Sequence, residues 1–160
     1  MEVHNIEPLY DAESRILILG SFPSVKSRQQ QFFYGHPQNR FWKVMAAIFH
    51  EPVPVSIAEK KRLLHEHHVA NWDVIQSCEI RGSADDSISD VTANDLSVIL
   101  NNSPIRKILC NGTKSFDLYM KYIYPQTKIM PIKMPSTSPA NASWSLERLT
   151  EVWRKEFESL

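Results

Sequence analysis

Four consecutive aliphatic residues, Ile16-Leu17-Ile18-Leu19, closed by Gly20, restrict this chain more than any other feature. The run is too short for a helix and has no polar alternation, so it fits a strand covered on both faces. Such strands belong to parallel sheets flanked by helices. Further on, Phe41, Val44, Met45 and Ile48 recur at helical spacing, which starts a helix at Asn39 or Arg40 and carries it to Phe49. Residues 20–39 then form a long loop between a core strand and a helix. Its four aromatics and two prolines are poor material for disorder, and loops of this length inside compact domains usually serve function. In an open α/β sheet the crevice beyond the carboxyl ends of the strands is the usual ligand site. A site is expected here.

The rest of the chain continues the alternation. Residues 1–11 read as a surface lead-in that packs Leu9 and Tyr10 onto the core. Pro52 and Pro54 break the first long helix, and Ser56, with Glu59 three residues on, caps a second over residues 57–67. A strand over 69–72 follows, then a short helical turn at 74–78 and an acidic loop reaching Thr92. A helix over 95–100 precedes a second buried strand, 105–110, which ends in the turn pair Asn111-Gly112. Thr113 caps a helix to about Tyr122, residues 128–132 form a further strand, and residues 143–157 a closing helix with Trp144, Leu146, Leu149, Val152, Trp153 and Phe157 down one side. Strands that are apolar throughout and alternate with helices give an α/β domain with a parallel sheet covered on both faces. The 160 residues suit a single domain over residues 1–160. Residues 20–39 and 135–141 become the walls of one cleft.

Composition narrows the function. Two cysteines, Cys78 and Cys110, cannot form a disulfide framework or hold an iron–sulfur cluster through four thiolates. No apolar run reaches transmembrane length, and residues 1–10 are acidic rather than signal-like, so a soluble, intracellular, cytoplasmic protein with no membrane partner is expected. The net charge is zero but segregated. Residues 14–50 hold five basic groups and no acid, and residues 104–146 hold six basic groups against Asp117 alone. If these segments meet, they make a positive face able to attract a phosphate backbone; the alternative is that the charges scatter in space. The His65-Glu66-His67-His68 run reads as a solvated helix end rather than a metal cluster. Trp72 reads as core.

The residues also carry a family resemblance. Residues 20–42, with YGHPQNRFW at 34–42 as the most specific part, resemble motif one of the uracil-DNA glycosylase superfamily, and PSTSPAN at 135–141 resembles motif two. The similarity spans the chain and is greatest to family six, the hypoxanthine-DNA (deoxyinosine) glycosylase group. It implies a three-layer α/β/α fold with a central four-stranded parallel sheet. The implied activity is that of a monomeric, monofunctional glycosylase of base-excision repair. It would flip a deaminated base, hypoxanthine, out of DNA and hydrolyse its N-glycosidic bond without metal or other cofactor. Two alternatives stay open: a mismatch-specific uracil or thymine glycosylase, and a non-catalytic DNA- or nucleotide-binding domain.

By this resemblance Asn39 is the catalytic residue, orienting the water or bonding the purine; by itself it would read as a helix N-cap. Where mismatch-specific uracil glycosylases place a water-orienting asparagine, this sequence has Phe22, which argues against efficient uracil excision. Tyr34 takes the base-stacking position, and such a stack contributes roughly 1–3 kcal/mol. Gly20, Ser21, Phe22 and Pro23 line the pocket, and His36 contacts the abasic sugar or a phosphate. Asn111 offers a donor and an acceptor that match hypoxanthine O6 and N1–H, or else it simply forms the turn with Gly112. Motif two implies DNA grip through Ser136, Thr137 and Ser138, with Pro139 to Asn141 as a wedge in the minor groove. Ser24, Lys26 and Ser27 add phosphate contacts. No lysine lies in a motif that supports a Schiff-base lyase step.

Overall fold

In the computed structural model, which describes residues 1–158, the chain enters through a two-residue strand, β1 (Glu2–Val3), and then forms β2 (Ile16–Gly20). Next come the helices α1 (Val25–Gln30), α2 (Phe41–Phe49) and α3 (Ile57–Glu66), followed by the strands β3 (Val69–Asp73), β4 (Ile75–Glu79) and β5 (Ser89–Ala93). The second half comprises α4 (Ser97–Leu100), β6 (Lys107–Asn111), α5 (Thr113–Tyr122), α6 (Tyr124–Thr127), β7 (Ile132–Met134) and α7 (Leu146–Glu158). Four strands, in the order β3-β2-β6-β7, make one parallel sheet. Helices cover both faces, as the apolar strands require.

Strand β2 sits inside this sheet and is buried along its whole length. Side chains alternate across a strand. Ile16 and Ile18 therefore join one apolar cluster with Phe41, Met45, Leu64, Leu149 and Trp153, while Leu17 and Leu19 join the other with Ile75, Ile99, Ile108 and Tyr119. Each such fully buried side chain stabilises the fold by roughly 1.5–3 kcal/mol. The capping box before α3 forms as expected: Ser56 Oγ accepts from Glu59 N and Glu59 Oε1 from Ser56 N, each at 3.0 Å.

Several sequence expectations are corrected. The first eleven residues pack Leu9 and Tyr10 onto the core as expected, but they are more than a lead-in: β1 pairs antiparallel with β4, and Ile6 is buried as well. The helical turn expected at 74–78 is absent: Ile75–Glu79 is the strand β4, which joins β1 and β5 in a separate antiparallel sheet whose pairing comes from distant chain. The long loop after β2 contains α1, capped by Ser24. Thr113 lies inside α5, not at its cap; Gly112 holds that position at φ 98°, with Ser136 only 3.1 Å from where a Cβ would stand. The last strand begins at Ile132 rather than at residue 128, because Lys128 caps α6 in a left-handed conformation and pairing with β6 starts only at Ile132. His65, His67 and His68 each face an acid, Asp11, Glu51 and Glu13 respectively. Trp72 packs against both clusters and donates to the Ile6 carbonyl at 3.2 Å.

Both cysteines are buried and free, and burial pushes the Cys110 thiol up to about 12. Trp153 ties α7 to the loop after β7 by donating to the Pro135 carbonyl at 3.0 Å. Trp153→Phe keeps an aromatic in place but leaves that carbonyl without its donor, a loss of about 1–3 kcal/mol. The expected outcome is a melting temperature lowered by several degrees; an unchanged melt would contradict the role given to this bond.

Candidate active site

All four parallel strands end at one edge of the sheet. In register, Gly20 of β2 lies beside Asp73 of β3, and Asn111 of β6 beside Met134 of β7. The loops leaving these ends enclose a cavity of about 290 Å3, at the low end of the roughly 300–1,000 Å3 range of small-molecule pockets. That volume suits one base rather than a whole dinucleotide. Of the residues singled out from sequence, Gly20 to Ser24, Ser27, Tyr34, His36, Asn39, Asn111 and Ser136 to Pro139 all line it. Lys26, exposed on α1, and Asn141 do not. Asn141 lines a neighbouring cavity of about 470 Å3 with Lys133 and Trp144.

Asn39 sits at the centre of a hydrogen-bond relay. Its Oδ1 accepts from Phe41 N at 2.9 Å, which starts α2, and from the Thr137 hydroxyl at 2.9 Å. The backbone N–H can only donate, so the oxygen is fixed on that side and Nδ2 is left for the cavity. The N-cap of α2 is Arg40, with no side-chain cap bond of its own, so Asn39 braces the first helical N–H from one position further out while lining the cavity. With both lone pairs of Oδ1 engaged, Asn39 offers a ligand a donor and nothing basic. Asn111 closes the relay from the other side: Oδ1 accepts from Thr137 N and Nδ2 donates to Thr137 Oγ1, each at 3.0 Å. One lone pair and one N–H of Asn111 remain uncommitted.

Tyr34 stacks on Phe41 with centroids 4.0 Å apart and planes at 17°, so one ring face is supported from behind. Its φ of 52° is left-handed, an uncommon conformation for a bulky residue that persists only where surroundings enforce it. The adjoining Gly35 N–H is held by Ser27 Oγ at 2.9 Å. Burial, and then the charge of Asp73, raise the Tyr34 pKa, which keeps the phenol neutral. Phe22 is buried in the second apolar cluster and lines the cavity with carbon alone. His36 Nδ1 accepts from Gln38 N at 3.1 Å.

The cavity also holds two carboxylates that were not singled out from sequence. Asp73, 4% exposed, receives His4 Nε2 on Oδ2 at 2.8 Å. Its Oδ1 lies so close to Gly20 that a Cβ there would stand 2.4 Å away, and this approach is what requires glycine at the end of β2. Asp85 accepts from Ser21 Oγ at 2.8 Å at the cavity mouth. Burial of its carboxyl raises its pKa, while the residue as a whole stays open to solvent, which limits that effect. Ser83 lines the same wall. In the sequence, Trp72-Asp73 and residues 81–86 resemble a segment of the uracil-DNA glycosylase superfamily to which no role could be given, because that role depends on β4 and β5 folding the chain back to the sheet edge.

Some proposed DNA contacts are corrected. Thr137 is fully buried and its hydroxyl belongs to the relay, so it cannot grip a phosphate. Ser27, 2% exposed, bonds Ser24 and Gly35 instead. The Asn141 amide turns back to the Ser136 carbonyl at 3.0 Å, leaving Pro139 and exposed Ala140 at the tip. Three groups of the basic segments are also committed: Arg28 pairs with Glu2, Lys107 with Glu156, and Arg40 with main-chain oxygens. Arg40, which sequence reasoning gave no site role, reaches the carbonyls of Ser138 and Asn141 at 3.0 Å each and that of Trp144, while its own N–H meets Thr137 O at 3.1 Å. It fastens the 135–141 loop to the start of α2.

This sheet, with a base-sized cavity at its strand ends, defines an α/β protein of the strand-end pocket class. The profile of the Uracil DNA glycosylase superfamily matches residues 7–156, and the chain belongs to that superfamily. A protein of Methanosarcina acetivorans named Hypoxanthine DNA glycosylase is 33% identical over 151 residues, 92% of each chain. One of the same name from Methanosarcina barkeri is 31% identical over 163 residues, 99% of each chain. A solution NMR structure from Methanosarcina acetivorans, provisionally named a uracil DNA glycosylase, superposes with a TM-score of 0.82 at 30% identity. The superposition covers 98% of this chain and 97% of that one.

If the relay holds the site together, Thr137→Val, which keeps the shape and removes the hydroxyl, leaves Asn39 Oδ1 with one donor fewer. Turnover is expected to fall by about 10–100-fold, with the melting temperature lowered only slightly. Full turnover in the variant would dismiss the relay.

Proposed function

We propose that this chain is a monofunctional DNA glycosylase that extrudes hypoxanthine from DNA and hydrolyses its N-glycosidic bond, acting as a monomer on intracellular DNA. Membership of the superfamily and the names of the two Methanosarcina relatives support the reaction class. The observation that carries the choice of base is Asp73, a buried carboxylate with one oxygen facing the cavity beside Gly20.

A carboxylate can only accept. Hypoxanthine presents N1–H, which it satisfies, whereas adenine presents a bare N1 that would face it acceptor to acceptor. Leaving a buried polar group unpaired in this way rejects a substrate by roughly 10^4–10^5-fold. Uracil also presents a ring N–H, so Asp73 alone does not exclude it; Phe22 counts against uracil by offering no amide for the water. Tyr34, backed by Phe41, supplies the stacking face.

In the reaction, the C1′–N9 bond breaks with its electron pair going to the base. Water oxygen then bonds C1′, and a water proton ends on the released base. In this reading Asn39 Nδ2 donates to the base as negative charge grows on it, which is where a fixed donor contributes most; the commitment of Oδ1 to Phe41 N and Thr137 supports it. His36, Ser24, Ser136, Ser138 and Pro139 at the rim meet the DNA backbone and the gap left in the stack.

The test is single-turnover cleavage of end-labelled duplexes carrying inosine, uracil or adenine in one context, with and without alkali. Inosine is expected to react, with strand breaks appearing only after alkali. Asn39→Ala is expected to lower the rate by about 10^2–10^3-fold, the usual cost of removing such a donor. Equal reaction of adenine, or breaks without alkali, would refute this reading.

A further inference from the structure

The first residues of the chain reach the floor of the cavity. Pairing of Glu2 with Cys78 and Val3 with Ser77, the bond from His4 N to Gln76 O, and burial of Ile6 fix this strap against β4 and β3. His4 is thereby placed behind Asp73, with the two side chains 3% and 5% exposed. Phe22 and Trp72 meet its ring edge-on, at centroid distances of 6.1 and 6.0 Å.

Hydrogen bonds fix which imidazole nitrogen carries the proton. The Ile6 backbone N–H donates to Nδ1 at 3.3 Å, so Nδ1 is bare and Nε2 carries the hydrogen that goes to Asp73 Oδ2. Whatever stands at position 73 must therefore show His4 an acceptor. An aspartate meets that demand with one oxygen and presents the other to the base. An asparagine would have to give His4 its only oxygen and turn its NH2 toward the cavity.

We infer that His4 is a positioning residue that sets the polarity of the base-reading group, so that the amino-terminal strap decides which purine edge the site accepts. The inference rests on the base-reading role proposed above for Asp73. It makes a signed prediction that a merely structural histidine does not. Asp73→Asn presents a donor, so inosine cleavage falls by at least about 100-fold. Adding His4→Ala releases the amide to rotate and offer its oxygen to N1–H, so the double variant recovers inosine cleavage relative to Asp73→Asn alone. Interaction of this kind between touching residues is what a double-mutant cycle measures.

The experiment measures single-turnover rates on inosine duplexes for wild type, His4→Ala, His4→Gln and Asp73→Asn, and for Asp73→Asn combined with each change at position 4, with a thermal melt of every variant. His4→Ala by itself is expected to be about 5–50-fold slower in the chemical step. His4→Gln, whose amide N–H can reach toward Oδ2, is expected to recover most of that loss. The His4→Ala/Asp73→Asn variant is expected to be at least about 5-fold faster than Asp73→Asn. Additive losses in the cycle, or a double variant slower than either single one, would overturn the inference. If His4→Ala does not fold, His4→Phe/Asp73→Asn decides instead: phenylalanine fills the space of the ring with no donor behind the amide at position 73, so this variant must recover inosine cleavage relative to Asp73→Asn, and no recovery would overturn the inference. A wild type that cleaves inosine normally while the cycle is additive sinks the role of His4 alone; a wild type inert on inosine sinks the functional reading and this inference with it.

Discussion

The site depends on one buried side chain, Thr137. Its hydroxyl donates to Asn39 and accepts from Asn111, while its N–H donates to Asn111 and its carbonyl accepts from Arg40. Every polar group of this residue is satisfied inside the protein, as burial without exposure demands. In this way the loop after β7, the end of β6 and the start of α2 are held in one geometry. An amide free to rotate offers a ligand no fixed polarity; here Oδ1 of Asn39 is committed, and the atom left for the cavity is a donor.

Around that relay, the fold places chemistry by making strands end together. Gly20, Asp73 and Asn111 are separated widely in sequence but lie on adjacent strands whose carboxyl ends share an edge. Glycine at the end of β2 lets the Asp73 carboxylate approach the backbone. Arg40 and Trp153 then anchor the 135–141 loop through its carbonyl groups. Arg40, counted among the basic groups of the sequence, thus spends its charge within the structure.

The parallel sheet was legible from Ile16 to Leu19 and from the run before Asn111, because strands buried on both faces leave an unbroken apolar signal. The capping box at Ser56 was legible because its partners lie three residues apart. What local reasoning missed was made by long-range pairing. Residues 74–78 look like a turn until β1 and β5 flank them, and residues 1–11 have no period because they serve as a strap. Motif one identified the cavity wall around Asn39 and Tyr34. It could not show that Asp73 and His4, 69 residues apart, share a hydrogen bond. Nor could it show that the Thr137 hydroxyl faces inward rather than toward DNA.

The central claim is that the cavity selects a purine carrying N1–H and releases it as the free base. The most direct check is mass spectrometry of the small molecules released by the wild-type protein from duplexes with inosine, adenine or uracil at one position. The account predicts free hypoxanthine, close to one per duplex from the inosine substrate, with no adenine and little uracil. Absence of free hypoxanthine, or release of adenine at a comparable rate, would contradict it.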